Sequence, residues 1–466
     1  MDATDICYLS AVELIALYRS RQLSPVEATE AILARIEEVD PRVNAFVTVT
    51  PERALDDARR AETAYREGGE TPTLAGVPLS IKDLVPTKGI RTTRGSLLDA
   101  DWVPDFHPVF VQRLYDAGAV MLGKTNTPEG GWKGETTNRV AGTTRNPWNL
   151  EKTPGGSSGG AAAALTAGMG PLAQGGDGAG SIRIPAAFSG VFGHKPSFGR
   201  VPYPGSSPLQ LAHCGPMART VADAALMLDV MAGPDSSDRF SLAKAPSFAE
   251  DIQGGIAGLR IAWSLDLGYA TVDPEVAELT TAAARRFEEL GCIVEEAHPG
   301  LDDPWEMVDI LFTVGQAGSY AGRLEEVAPQ LDQGRLRQIE RAGHWSAVDM
   351  QVALLKRDEY WDGMRAFFET YDLLITPAMP MAAFEAGRDF PPEIDENSTN
   401  YLKWTPFTYP FNLTGQPSAA VPCGFTSEGL PVGIQITGRW RDDATVLRAA
   451  ARFEDLAPWS GARPSL

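Results

Sequence analysis

Residues 76–84 read "GVPLSIKDL", an apolar run of strand length closed by a lysine and an aspartate. Downstream, "PVFVQRLYDAG" (108–118) carries its apolar residues at helical spacing, and "AVMLGK" (119–124) is a second buried-strand run. "GGAAAALTAG" (159–168) adds a small-residue helix, and glycine-rich loops punctuate the stretch from Gly76 to about Gly199. Strand, helix and strand in alternation predict an α/β layer architecture.

The flanks extend that pattern. Upstream, "LSPVEATEAILARIEEVDP" (23–41) places Ser24 as N-cap, Pro25 at the first helical position and Glu27 where a capping box needs it. "NAFVTVT" (44–50) reads as a short strand and "PERALDDARRAETAYREGG" (51–69) as a polar helix. Downstream, "TVADAALMLDVMAG" (220–233) is a helix. "GLRIAWSL", "DPEVAELTTAAARRFEELG" and "CIVEEA" (258–297) form a βαβ unit. Residues from about 300 to 370 read as mostly helical. "DLLITPAMP", "SAAVPCGF" and "LPVGIQITG" return to strand, the last two joined through "TSEG" as a hairpin, and "DDATVLRAAARFEDL" closes the chain as a helix. No repeat or low-complexity linker interrupts the sequence, so a single large domain over 1–466 is expected, with strands from both ends sharing one sheet. Within it, 1–70 is a helical segment, 71–220 the core, 221–370 a variable α/β and helical region, and 371–466 the closing strands.

Composition bounds the function. The 466 residues are 43% hydrophobic and 22% charged, ordinary globular usage. With 61 acidic against 41 basic side chains, the formal charge is -20. That balance disfavours nucleic acid as a partner. No apolar run approaches the roughly 20 residues of a membrane helix. The first residues carry acids where a secretory signal has bases, so a cytoplasmic location is expected. Cys7, Cys214, Cys292 and Cys423 lie far apart without metal or redox spacing, which fits reduced thiols. No metal signature and no cofactor motif is legible. The sequence leaves a homodimer open.

Three motifs match known patterns without their context. "GAVMLGKT" (118–125) satisfies the phosphate-loop pattern, but its apolar centre belongs in a sheet rather than in a bent cradle. "GGSSG" (155–159) satisfies the nucleophile-elbow pattern, yet the polar "NPWNLEKTP" before it is no core strand. No histidine among His194, His213, His298 and His344 stands in a telling context as its base. His213 and Cys214 are neighbours on an extended segment and point to opposite faces.

Two serine loops and one lysine remain. Lys82 ends the strand "GVPLSIK"; it is either a surface charge, paired to a carboxylate such as Asp83, or a desolvated amine lowered from about 10.4 and able to take a proton. Ser157 and Ser158 precede a helix, as an N-cap turn or as reactive hydroxyls. In "GGDGAGSIRIP" (175–185) the N–H groups of Gly178, Ala179, Gly180 and Ser181 either curl into an anion-binding nest or let the loop cross another backbone.

Together these stretches resemble the amidase signature family. The resemblance is carried by "GVPLSIKDL", "GIRTTRGS", "GKTNTPE", "TRNPWN", "PGGSSGG", "GAGSIRIPAAFSGVFGHKPSFGRV", "GPMARTVADAA", "NLTGQPSAAVPCG" and "GLPVGIQITG". It spans about residue 10 to about residue 455, with the two serines at the family's spacing. It implies the amidase signature fold: a single large α/β domain, its mixed β-sheet flanked by helices on both faces. It also implies a Ser-Ser-Lys triad. Lys82 corresponds to the catalytic base, Ser157 to a bridging serine after a cis peptide (Gly156–Ser157), and Ser181 to the nucleophile that becomes acylated. The oxyanion would then be held by the N–H groups of residues 178–181.

The nucleophile loop departs from the family's usual "GTDTGGSIR". Ala179 restricts φ more than a glycine would. Gly130, Gly131 and Trp132 in "TPEGGWKGETTN" (127–138) are expected substrate contacts, with Gly130 opening the acyl pocket; Trp132 is equally readable as core. The implied activity is hydrolysis of a small-molecule amide, ester or carbamate. The alternatives are the glutaminase subunit of a tRNA-dependent amidotransferase and an inactive binding protein on the same scaffold. "GKTNTPEGGWKG", where the amidotransferase subunits usually read "GKTNMDEFAMG", favours a stand-alone enzyme.

Overall fold

A computed structural model describes residues 2–203, 209–393 and 401–466. Eleven strands share one sheet. The first four are β1 (Phe46–Val49), β2 (Pro78–Lys82), β3 (Val120–Thr125) and β4 (Leu172–Asp177). β5 (Phe192–Lys195), β6 (His213–Ala218), β7 (Arg260–Trp263) and β8 (Ile293–Glu296) follow. β9 (Leu373–Pro377), β10 (Ser418–Phe425) and β11 (Pro431–Gly438) complete the series. Across the sheet the order is β1-β3-β2-β4-β6-β5-β10-β11-β9-β7-β8.

Pairing is mixed. β2 runs parallel to both β3 and β4, and β9, β7 and β8 form a second parallel group. The strands between them, and β1 on β3, pair antiparallel. Thus early and late segments of the chain meet in one sheet. The βαβ unit is present, with helix Pro274–Arg285 between parallel β7 and β8, and β10 and β11 form the hairpin, with residues 426–430 as its connection.

Alternation along each strand feeds two cores. Ala419 and Val421 of β10 enter one apolar cluster, with Phe110, Leu228 and Leu447 from flanking helices. Ala420, between them, enters another with Leu165 and Phe188. In β2 the same rule sends Leu79 and Ile81 into the first core and leaves Lys82 to face the other side. Helix Pro25–Val43 starts with the capping box at Ser24 and Glu27 but runs past Pro41 to Val43, where Asn44 ends it at φ 57°. A third core, of Trp132, Trp305, Tyr401, Tyr409 and Phe411, lies under the helices of the 300–370 region. Among the described residues no helix is long and apolar enough to cross a membrane.

Candidate active site

Lys82 sits at the end of β2, buried to 1% exposure. Its Nζ lies 2.7 Å from Ser157 Oγ, 2.8 Å from Ser158 Oγ and 3.3 Å from the Gly176 carbonyl oxygen. Desolvation lowers its pKa to about 7, against the pull of Asp177 and Cys214 in the other direction. Among the described residues Asp83 forms no ion pair with it. Asp83 lies in the turn just past the strand, where it accepts from the Thr93 amide and hydroxyl and approaches Lys124.

Ser157 and Ser158 immediately precede helix α1 (Gly159–Thr166), and the peptide bond between Gly156 and Ser157 is cis. The Ser158 hydroxyl does not cap that helix. It donates to the Gly176 carbonyl (3.1 Å) and accepts from the Gly176 amide (3.2 Å), fastening the serine loop to β4. A neutral amine has two N–H donors and one lone pair. Ser158 Oγ and the Gly176 carbonyl match the donors, which leaves the lone pair of Lys82 for the Ser157 hydroxyl. The part played by Ser158 is not legible in the sequence, where the doubled serine is its one visible signal.

Ser181 lies between β4 and helix α2 (Arg183–Ser189), half-buried in a loop held by Asp177. One Asp177 oxygen accepts the Gly180 amide at 2.7 Å, the other the Ile182 amide at 3.2 Å. Both also take the guanidinium of Arg183 at 3.0 Å. Burial alone would raise Asp177, but Arg183, with help from Lys195 and Asn412, outweighs it and holds the carboxyl well below the usual range. Arg183 is itself fully buried and donates to Asn412 Oδ1, Gln435 Oε1 and the Thr408 carbonyl. Arg183, Asn412 and Gln435 stand in "SIRIP", "NLTGQP" and "GIQITG", so the motifs are visible in the sequence and their partnership is not.

This geometry corrects the expected nest. The Gly180 amide is spent on Asp177, so it is not available to an oxyanion. The amides of Gly178, Ala179 and Ser181 find no acceptor among the described residues. Of these loop residues only Gly180 has a left-handed φ, 121°, and a Cβ there would press to 2.7 Å from Thr408 Cβ. Ala179 has no positive φ, so its side chain does not distort the turn.

Lys82, Ser157, Ser181 and Gly178 border one cavity of about 360 Å³. Leu84, Tyr203, Leu211 and Phe312 supply its apolar wall. Among the described residues no hydrogen bond joins the Ser157 and Ser181 hydroxyls. Gly131 reaches this cavity, and a Cβ on it would sit 3.1 Å from Ser157 Oγ. Trp132 does not: it is fully buried in the third core, edge-on to Phe390 with ring centroids 6.1 Å apart, so the substrate contact expected of it is withdrawn. Gly130 lines the cavity but opens no acyl pocket, because the guanidinium of Arg335 fills the space its side chain would occupy.

The misleading motifs resolve physically. "GAVMLGKT" ends in β3, and the amine of Lys124 is consumed by the Val85 carbonyl, Thr87 and Thr92. His213 borders the cavity with Nδ1 on the Leu211 carbonyl (2.8 Å), while Cys214 enters the opposite core. His194 is paired with Asp443.

The Amidase family profile matches residues 27–447. An acylamidase of Rhodococcus erythropolis is 42% identical over 473 residues, covering 100% of this chain and 99% of the relative. A glutamyl-tRNA(Gln) amidotransferase subunit of Moorella thermoacetica is 38% identical, covering 99% of each. Among solved structures, a bacterial aryl acylamidase of the amidase signature family superimposes with a TM-score of 0.91 at 32% identity, over 97% of each chain. The chain belongs to the amidase signature family, a hydrolase of carbon–nitrogen amide bonds built on a large mixed sheet of eleven strands.

Proposed function

We propose that the chain is a stand-alone acylamidase that cleaves small-molecule amides, anilides among them, through an acyl-enzyme on Ser181. The neutral Lys82 amine accepts the Ser157 proton while Ser157 accepts that of Ser181. Ser181 Oγ then bonds to the substrate carbonyl carbon, and the developing oxyanion meets the amides of Gly178, Ala179 and Ser181. As the C–N bond breaks, the Lys82 ammonium returns its proton through Ser157 to the leaving nitrogen. Water, activated by the same relay, hydrolyses the ester and frees Ser181.

The observation that carries this reading is the placement of Lys82 Nζ, desolvated and 2.7 Å from Ser157 Oγ, on the same cavity as Ser181. The Rhodococcus acylamidase, alike over its whole length, supports the substrate class. A second reading, the glutaminase subunit of an amidotransferase, is favoured by the whole-length similarity to the Moorella protein. Three of the four cysteines are buried and all are unbonded, which supports a cytoplasmic location.

Purified chain, assayed alone, is expected to release aniline from acetanilide and 4-nitroaniline from its acyl derivatives. Ser181→Ala is expected to lower turnover roughly a thousandfold or more with an unchanged melting temperature. Turnover of glutamine alone, and only with partner subunits added, would overturn the reading in favour of the second.

A further inference from the structure

Arg335 comes from helix α4 (Gln333–Arg341), which follows helix α3 (Trp305–Gly318). Its side chain is 8% exposed and borders two chambers at once: the cavity of Ser181 and an adjoining one of about 560 Å³. The chambers also share Leu84, Gly130, Tyr203, Ala212 and Ser319, so Arg335 stands at the neck between them. Two glycines make this placement possible. A Cβ on Gly130 would lie 2.5 Å from Arg335 Cζ, and one on Gly334 would lie 2.5 Å from Trp132 Cζ2. Each element therefore offers a glycine to the other's large side chain. The face of Tyr320, with its centroid 5.1 Å from Cζ, supports the guanidinium.

The charge of Arg335 is only partly answered inside the protein. Glu129 approaches Nη1 at 3.4 Å, longer than a charge-assisted hydrogen bond. That carboxylate is already engaged by the Ser96 hydroxyl at 2.6 Å and by the amide of Asp332. Among the described residues the buried Nε of Arg335 has no hydrogen-bond partner, and neither amide atom of Gln316, which lines the inner chamber, has one. Around the outer chamber stand Arg94 and Arg323 as well; among its described lining residues the one carboxylate, Asp99, is held by Arg94 at 2.7 Å, and Arg323 meets Glu326 at 3.6 Å on the exposed side. In a chain of formal charge -20, the outer chamber with its neck carries a local excess of cations, Arg94, Arg323 and Arg335 against Asp99 among the described lining residues.

We propose that Arg335 anchors a carboxylate carried by the substrate away from its scissile amide, so that acid-bearing amides are preferred over neutral ones. This rests on Ser181 acylation as the chemistry and adds the substrate class. Across the neck, the apolar walls take the hydrocarbon or aryl body and the guanidinium takes the acid.

The test compares kcat/KM within two isosteric pairs, following aniline release: 4-acetamidobenzoate against 4-acetamidobenzamide, and succinyl against succinamoyl 4-nitroanilide. The first pair places the acid on the leaving amine and the second on the acyl group. In one pair the acid is expected to exceed its amide by about tenfold or more, chiefly through KM, and added salt should shrink the ratio. Arg335→Gln should bring that ratio near unity and Arg335→Lys restore part of it. Equal rates in both pairs, or a preference that survives Arg335→Gln in a folded variant, would overturn the anchor while leaving the amidase reading intact. If Arg335→Gln fails to fold, the wild-type ratios and their salt dependence decide the matter. Failure of wild-type protein to hydrolyse any of the four would overturn the amidase reading and the anchor with it.

Discussion

The floor and the wall of the cavity are built in different ways. The floor consists of strand ends and the loops at 155–158 and 176–183. Its groups are fixed by backbone and by a buried polar network around Asp177 and Arg183. Beside Leu84, Tyr203 and Leu211, the wall is formed by helices in the 300–345 region, with side chains such as Phe312 and Arg335 reaching over the floor. A floor of this kind tolerates little, because its buried charges and amides hold one another in place. A wall of this kind can change with single side chains. In the proposed reading the first carries the chemistry and the second the substrate choice.

That contrast ranks the effects of substitution. Asp177→Asn strikes the floor hardest. It leaves the Arg183 guanidinium buried without its counter-charge, which costs about 3–5 kcal/mol, and it replaces the acceptor of one of the Gly180 and Ile182 amides with an NH2 donor. A lowered urea-unfolding midpoint together with loss of turnover is expected; an unchanged midpoint would show that the network does not hold the loop. Ser158→Ala is milder. It removes an acceptor from Lys82 and a clamp on Gly176, leaving Ser157 in place. A fall in kcat of about tenfold, with KM little changed, is expected from one lost hydrogen bond to the base. An unaltered kcat would mean that Ser158 does not orient the amine. Arg335 on the wall acts more narrowly still, since its substitution is read in a ratio between substrates.

The same contrast explains what the sequence reveals. Strands such as 120–125 and 431–438 are apolar runs with an unmistakable signature. β4, "LAQGGD", is not, because its glycines leave room for Met217, Ile182 and the Lys82 stem rather than contributing side chains of their own. β6 holds Pro216 in the middle of the sheet, where proline is ordinarily excluded. Its pairing with β5 covers only Met217 and Ala218, so no second neighbour asks for the missing N–H. At the site, Lys82, Ser157 and Ser181 are legible because short local motifs carry them. The occupant of the space beside Gly130 is not, since nothing local links residue 130 to residue 335. Trp132 goes astray for a related reason: adjacency in sequence to a cavity-lining glycine says nothing about which way the next side chain turns.

The pH dependence of acylation tests the proton relay most directly. Lys82 must be neutral to accept a proton, and burial places its pKa at about 7, so the active form is the deprotonated one, which accumulates as pH rises. With an uncharged anilide, the single-turnover acylation rate should climb about tenfold per pH unit below this pKa and level off above it. A rate that stays flat from about pH 5.5 to about pH 8.5, or one that falls as pH passes 7, would contradict a neutral Lys82 as the base.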